Sequence, residues 1–164
     1  TGLLTLGGNV SVNSLGTGAS GATVASLVAL TNATTRTFTV ADDGTAAIDL
    51  TISKIISTTG SLIKAGDGTM LVSGANSYTG ATTVNAGTLR AGIITNAFGT
   101  TSAVTLANTA GVTLDLNGFS NTIGSLTGGG TNGGNVTLGT GTLTIGSNNS
   151  SPAAYAGIIS GTGG

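Results

Sequence analysis

The side chains best suited to chemistry in this 164-residue chain are five aspartates, and the chain has no histidine, cysteine or tryptophan. The acids are Asp42, Asp43, Asp49, Asp67 and Asp115. Clustered carboxylates with basic partners could cleave a polysaccharide. However, Asp49 and Asp115 each stand between apolar neighbours, so we expect them to face outward, several coils apart. Asp42-Asp43-Gly44 and Asp67-Gly68 are typical of turns, and the calcium-binding repeat of β-rolls is absent. We predict no catalytic residue and no metal site.

A glycine motif is the next candidate for chemistry. Gly16, Gly18 and Gly21 form a G-x-G-x-x-G pattern, with Asp42 about twenty residues further on, as in dinucleotide-binding proteins. Gly128, Gly130 and Gly133 repeat the pattern, and chance alone gives about one match in a chain with 30 glycines. Because no βαβ pattern follows, we interpret both motifs as glycine-rich turns and predict no cofactor.

Threonines and tyrosines offer a binding surface rather than a reaction. Outward threonines in stacked strands could bind ice or a sugar lattice, but only Thr37-x-Thr39 and Thr142-x-Thr144 have the paired spacing. Threonine is also simply a good polar residue for a β surface. Tyr78 and Tyr155 could stack on carbohydrate, although packing in turns is the favoured interpretation.

Charge and composition exclude several classes of partner. The net charge is −1, so the chain lacks the positive field that gathers nucleic acid. The basic residues Arg36, Lys54, Lys64 and Arg90 are interpreted as solubilising charges at the edges of the fold. The longest apolar-leaning stretch, residues 22–30, is too short for a membrane span, which needs about 20 residues. The absence of cysteine is compatible with an extracellular setting.

The elements that must position these residues are short strands. Apolar residues alternate with Thr, Ser or Asp in segments such as 48–52, 112–116 and 143–145, and Gly and Asn clusters separate the segments. Apolar positions recur at intervals of 17 to 20 residues, as from Leu89 to Leu106. Such a period is typical of a solenoid. A β-sandwich is the alternative, but five Phe and Tyr side chains are few for its wide core. We predict an all-β parallel β-helix of about eight coils of about 20 residues with almost no α-helix.

The alternation also predicts which side chains fill the core. The expected inward residues are Phe38, Val40, Ile55, Leu71, Leu89, Leu106, Leu114, Leu126, Leu143 and Ile145.

A longer internal repeat divides the chain. Residues 55–60 recur at 158–163, residues 37–40 at 142–145 and residues 7–10 at 133–136. We interpret residues 1–164 as one solenoid segment, in which 1–57 end one long repeat with an extra coil, 58–160 form a complete repeat and 161–164 begin the next. Neither terminus has the charge, proline or helix of a solenoid cap. The expectation is that the native object continues past both ends, in a tandem array or by stacking of further copies.

Residues 66–89, GDGTMLVSGANSYTGATTVNAGTL, resemble the autotransporter-associated β-strand repeat of bacterial passenger domains. Downstream segments, such as Thr113 to Gly118 and Gly141 to Gly146, resemble the segments that come after this motif in that family. Asp67 and Met70 depart from its usual small and aliphatic residues. The resemblance implies a secreted or surface-displayed right-handed parallel β-helix.

These observations together predict a non-enzymatic structural module of a long bacterial β-helical protein, serving as a stalk, fibre or adhesin passenger. The expected location is extracellular or at the cell surface, and the expected partners are flanking repeats or further copies, with surface glycans as a further candidate. The alternatives left open are a carbohydrate- or ice-binding face and a polysaccharide-active enzyme.

Overall fold

The chain folds as an all-β parallel solenoid with three faces. The computed structural model describes residues 2–13 and 21–164, and within these residues there is no helix. Face 1 comprises strands β2 (Val10–Val12), β5 (Thr35–Val40), β8 (Ser61–Ala65), β10 (Thr82–Val84), β12 (Ala103–Leu106) and β15 (Ser125–Gly128). Face 2 comprises β3 (Ala22–Val24), β6 (Leu50–Ile52), β9 (Thr69–Val72), β11 (Thr88–Ala91), β13 (Thr113–Asp115), β16 (Asn135–Thr137) and β18 (Ile159–Ser160). Face 3 comprises β1 (Leu3–Thr5), β4 (Leu27–Ala29), β7 (Ile56–Ser57), β14 (Asn121–Ile123) and β17 (Leu143–Ile145).

The chain passes through faces 3, 1 and 2 in turn, and each pass is one coil. Coil 1 includes residues 3–12 and 22–24, and coils 2 to 7 span residues 27–52, 56–72, 76–91, 96–115, 121–137 and 143–160. Every strand pair is parallel, as in Leu50 with Met70 and Leu114 with Val136. The predicted solenoid is confirmed, with about seven coils of about 22 residues instead of about eight of 20. The right-handed sense of the winding stays a prediction.

The corners between faces 1 and 2 explain why the coil length varies. In coils 3 and 4 the corner is three residues long, 66–68 and 85–87, and it turns on glycines with positive φ, Gly66 at 74° and Gly87 at 64°. A Cβ on Gly87 would lie 2.5 Å from the carbonyl oxygen of Gly68, so the corners of successive coils nest too closely for a side chain. In coil 2 the same corner is the long loop 41–49.

Face 3 lacks regular strands in coils 4 and 5, where buried asparagines supply part of the hydrogen bonding. The Oδ1 atom of Asn76 accepts a bond from the N–H of Ile56 at 2.7 Å, and its Nδ2 donates to the carbonyl of Ala97 at 2.6 Å. The N–H of Ala97 donates in turn to Oδ1 of Asn121 at 2.8 Å. These side chains therefore tie coils 3 to 6 together where the strand ladder is interrupted.

A narrow aliphatic core runs along the solenoid axis. Of the residues predicted to face inward, Phe38, Val40, Leu89, Leu106, Leu114 and Leu126 are buried, and Leu143 is half-buried. Two assignments are wrong. Ile55 is 38% exposed because its neighbour Ile56 is the buried residue. Leu71 points outward between buried Met70 and Val72, since one residue of slip exchanges the two faces of a strand. Ile145 shares the inward direction of its fully buried partner Ile123 but is 45% exposed, because no described strand covers it.

The segments of the long internal repeat lie on different faces. Residues 37–40 fall in β5 on face 1, and the matching residues 142–145 include β17 on face 3. Ile56 pairs with Val28 on face 3, whereas Ile159 pairs with Val136 on face 2. The repeat boundaries after 57 and 160 therefore stay a prediction, and the matched segments do not share a position in the coil.

Candidate functional site

Three of the five aspartates meet at the long corner of coil 2. Carboxylate oxygens of Asp42, Asp43 and Asp49 lie within 4.8 Å of one another. Asp49 is 5% exposed, so the expectation that it faces outward is wrong. Its Oδ2 accepts the N–H of Thr69 at 2.7 Å and its Oδ1 the N–H of Asp43 at 3.2 Å. It thus joins the loop of coil 2 to the start of a strand in coil 3.

The other two carboxylates of this cluster stabilise the turn itself. Asp42 accepts the N–H of Gly44 at 2.8 Å, and Oδ1 of Asp43 accepts the N–H groups of Thr45 and Ala46 at 2.8 and 2.7 Å. The bond from Ala46, followed by that from Thr45, lowers the pKa of Asp43. The prediction that Asp42-Asp43-Gly44 is a turn agrees with this geometry. All three carboxylates already accept backbone hydrogen bonds.

Lys64 is not an edge charge, as the sequence led us to expect, but occupies the solenoid interior. Its Cα pairs with Phe38 in the preceding coil and with Val84 in the following one, and its side chain is fully buried. The ammonium donates to the carbonyls of Ala65 at 3.0 Å, Gly66 at 2.6 Å and Ala86 at 3.1 Å. Burial lowers the pKa of Lys64 to about 8, against the opposing effect of Asp67 and Asp49.

Of the other basic residues, only Lys54 is exposed as predicted. Arg36 is half-buried, and its Nε donates to the carbonyl of Leu6 at 2.7 Å, which ties coil 2 to coil 1. Arg90 forms an ion pair with Asp115 of the next coil, with Nε to Oδ2 at 2.6 Å. Asp115 also accepts the hydroxyl of Thr137 at 2.9 Å, so this outward aspartate bridges three coils.

The outer surface of face 2 does not present a uniform threonine array. Thr69, Thr88 and Thr113 stack in register over three coils. The parallel column two residues further along contains Leu71, Arg90 and Asp115 instead of threonine. A flat double column of the kind that ice binding requires is therefore interrupted across these three coils.

The two tyrosines differ in exposure. Tyr78 is 2% exposed, and its hydroxyl bonds to that of Thr82 at 2.7 Å and donates to the carbonyl of Phe98 at 2.9 Å. Burial raises the pKa of Tyr78 to about 12. Tyr155 is half-buried, and its hydroxyl donates to the carbonyl of Gly134. Tyr78 therefore packs in the interior and does not stack on sugar, as the favoured interpretation of the sequence predicted.

The glycines of these motifs that the structure describes lie close against neighbouring coils. Gly16 and Gly18 lie outside the described residues. In the second motif, a Cβ on Gly128 would lie 2.1 Å from the carbonyl oxygen of Leu106, and one on Gly133 would lie 1.9 Å from that of Thr109. These glycines allow neighbouring coils to approach each other, which accounts for their type without a ligand.

A shallow open cavity of about 170 Å³ lies on face 3 beside the exposed side chain of Ile94. Its lining is uncharged and includes Asn96, Ser120, Thr122 and Thr144. No sequence pattern predicts this cavity, because residues 92–96 carry no motif. No described helix is long and apolar enough to cross a membrane.

Comparison with known proteins identifies the middle of the chain. Residues 62–91 match the family described as passenger-associated-transport-repeat. They comprise the face 1 and face 2 strands of coils 3 and 4, the coils with the three-residue corners. The predicted resemblance to a passenger repeat is confirmed.

A relative extends the likeness beyond this repeat. The chain is 52% identical over 118 residues to the adhesin BmaC autotransporter of Brucella suis biovar 1 (strain 1330). The alignment covers 72% of the chain and only 3% of that adhesin. No solved structure matches the chain. The likeness to this adhesin therefore extends over most of a parallel β-solenoid, which spans only a small part of the adhesin's length.

Proposed function

We propose that this module is a stretch of the stalk of a surface-displayed autotransporter adhesin, continuous with further coils at both ends. The observation that carries the proposal is the contrast between the closed middle and the open ends of the core. Leu89 and Leu114 are at most 1% exposed, whereas the inward residues Leu4 and Ile159 at the two ends are 42% and 48% exposed, although their partners Val28 and Val136 are buried. Flanking coils would cover these apolar side chains and pair with the strand edges.

The proposed role is mechanical and involves no catalysis. Catalysis by a carboxylate pair requires groups free to bind substrate and transfer a proton. In the acidic cluster, Asp42, Asp43 and Asp49 accept hydrogen bonds from backbone amides, and Asp115 is paired with Arg90. This supports a structural role over the polysaccharide-active alternative. A relative named as an adhesin supports the same choice.

The extracellular location belongs to the proposal as well. It is supported by the passenger repeat at 62–91, by the name of the relative and by the absence of cysteine. Binding of surface glycans by this segment receives less support, since Tyr78 is buried. Ice binding is disfavoured because the paired threonines Thr37 and Thr39 stand against Ile63 and Ala65 in the next coil, so they do not begin a double threonine column.

The test is to shorten the stalk by one coil within the full-length protein on its own cells. Deleting residues 62–81 joins Ser61 to Thr82, the register partner of Leu62, and so removes one whole coil. A deletion of half a coil, residues 62–71, serves as the control, because it removes most of the face 1 and face 2 strands of coil 3 but leaves its face 3 strand. We expect the in-register deletion to preserve surface labelling and adhesion and the control to reduce surface labelling. Loss of adhesion with surface labelling unchanged after the in-register deletion would show that this coil binds the target itself, which contradicts a stalk.

A further inference from the structure

Lys64 is the one lysine in the described interior, and its surroundings point to a role in coil pairing. It stands in a column of face 1 whose other described members are Val10, Phe38, Val84, Leu106 and Gly128. Aliphatic members of this column could stack on one another in many combinations. A buried ammonium cannot, because each of its N–H groups needs an acceptor.

The acceptors of Lys64 come from two coils. Ala65 and Gly66 belong to its own coil and move with it, whereas Ala86 lies at the corner of the next coil. The carbonyl of Ala86 is available because that corner is only three residues long and turns sharply at Gly87. The corresponding corner of coil 5, residues 107–112, is twice as long. A strand from coil 5 therefore brings a differently shaped corner to the ammonium.

We propose that Lys64 specifies which coil stacks on coil 3, so that β8 pairs with β10 and not with another strand of this low-complexity chain. In the correct pairing all three donors are satisfied. In a pairing that skips coil 4, the ammonium loses Ala86 and keeps an unsatisfied donor in an apolar core, which is costly. Buried polar groups are best attested in this kind of pairing role, at some expense in stability.

The experiment traps the pairing with disulfides, since the chain has no cysteine of its own. Ile63 and Thr83 are outward register partners on β8 and β10, and Thr105 is the partner of Thr83 on β12. Adjacent strands lie about 4.8 Å apart, within disulfide reach, whereas two coils span about 9.6 Å, which is too far. The pair I63C/T83C therefore reports correct stacking, and I63C/T105C reports a skipped coil.

Each pair is placed in three backgrounds: the parent, K64M and L62M. Met replaces a side chain of similar length in both variants, but only K64M removes an ammonium; Leu62 is the neighbouring inward residue of the same strand. After refolding from denaturant under mild oxidation, we expect I63C/T105C cross-links to rise at least fivefold in K64M and to stay at the parent level in L62M. I63C/T83C should form in all three backgrounds.

Two results would overturn the proposal. One is a K64M chain that folds and cross-links as the parent does, because pairing would then be fixed by other contacts. The other is a K64M chain that no longer folds while L62M does, because Lys64 would then act through stability and not through choice of partner. Both results leave the proposed stalk function untouched, since that rests on the solenoid ends.

Discussion

The middle and the C-terminal end of the solenoid share sequence patterns but differ in burial. Leu114, in Thr-Leu-Asp, is fully buried, whereas Ile145, in Leu-Thr-Ile, is 45% exposed. Both alternate with polar residues, and both pair with a buried residue of the preceding coil, Leu89 and Ile123. The difference is that β16 covers β13, while no described strand lies beyond β17. In a solenoid, therefore, the neighbouring coil decides burial as much as the residue's own pattern.

The strongest test of this comparison places a carboxylate at each position. Replacing Leu114 by Asp should lower the free energy of unfolding by about 4 kcal/mol or more, because the buried charge has no partner. The change Ile145→Asp should cost less than about 1 kcal/mol, since water already reaches this side chain. Urea denaturation of the two variants measures the difference. Equal losses of the free energy of unfolding would show that water is excluded equally from the core at the two coils.

A pH titration tests the buried charge of the middle coils. The pKa of Lys64 is about 8 in the folded chain and 10.5 in the unfolded one, so between these values the unfolded chain holds the extra proton. The free energy of unfolding should therefore rise with pH, by about 2 kcal/mol from pH 8 to 9.5. Denaturation should show this rise in the parent and in K54M, in which an exposed lysine is changed. The rise should vanish in K64M, and its persistence there would assign it to another group.

Asn76 and Asn135 allow the contribution of buried hydrogen bonds to be compared with that of a solvent-exposed one. Asn76→Ala should cost about 2 kcal/mol, because the buried N–H of Ile56 and carbonyl of Ala97 lose their partner. Asn135→Ala should cost about 0.5 kcal/mol, because the N–H of Ile158 that it accepts at 3.0 Å can turn to water. Thermal unfolding of the variants should show a clearly larger fall in Tm for Asn76→Ala. A reversed order would contradict the assignment of coil 7 as the open coil.

The smallest effect is expected on the outer wall of the middle coils. Arg90 and Asp115 are 33% and 13% exposed, so their ion pair resembles a surface pair more than a buried one. Arg90→Gln should cost less than about 1 kcal/mol at low ionic strength and close to nothing in 1 M salt. Urea denaturation at both salt concentrations measures this, with K54Q as the control. A large, salt-independent loss would place the pair inside the core.

Much of the architecture could be predicted because it depends on local alternation and spacing. Single residues were misplaced where two neighbouring apolar residues compete for one inward position, as at Ile55 and Ile56, since alternation cannot choose between them. Lys64 was misplaced for another reason. Its acceptors are main-chain carbonyls of two coils, and no side-chain pattern encodes them. The approach of Asp49 to Asp42 and Asp43 likewise depends on how loop 41–49 folds back.

The central claim, that this segment is completed by coils on either side, is tested most directly by amide hydrogen exchange. The isolated chain should be compared with the same chain extended at each end by one coil of the longer protein's own sequence. We predict that amides of β9, β11 and β13 exchange slowly in both, while those of Leu3–Thr5 and Ile159–Ser160 exchange at least a hundredfold faster in the isolated chain and become protected in the extended one. End strands that are already protected in isolation, or that gain no protection from the added coils, would contradict the account.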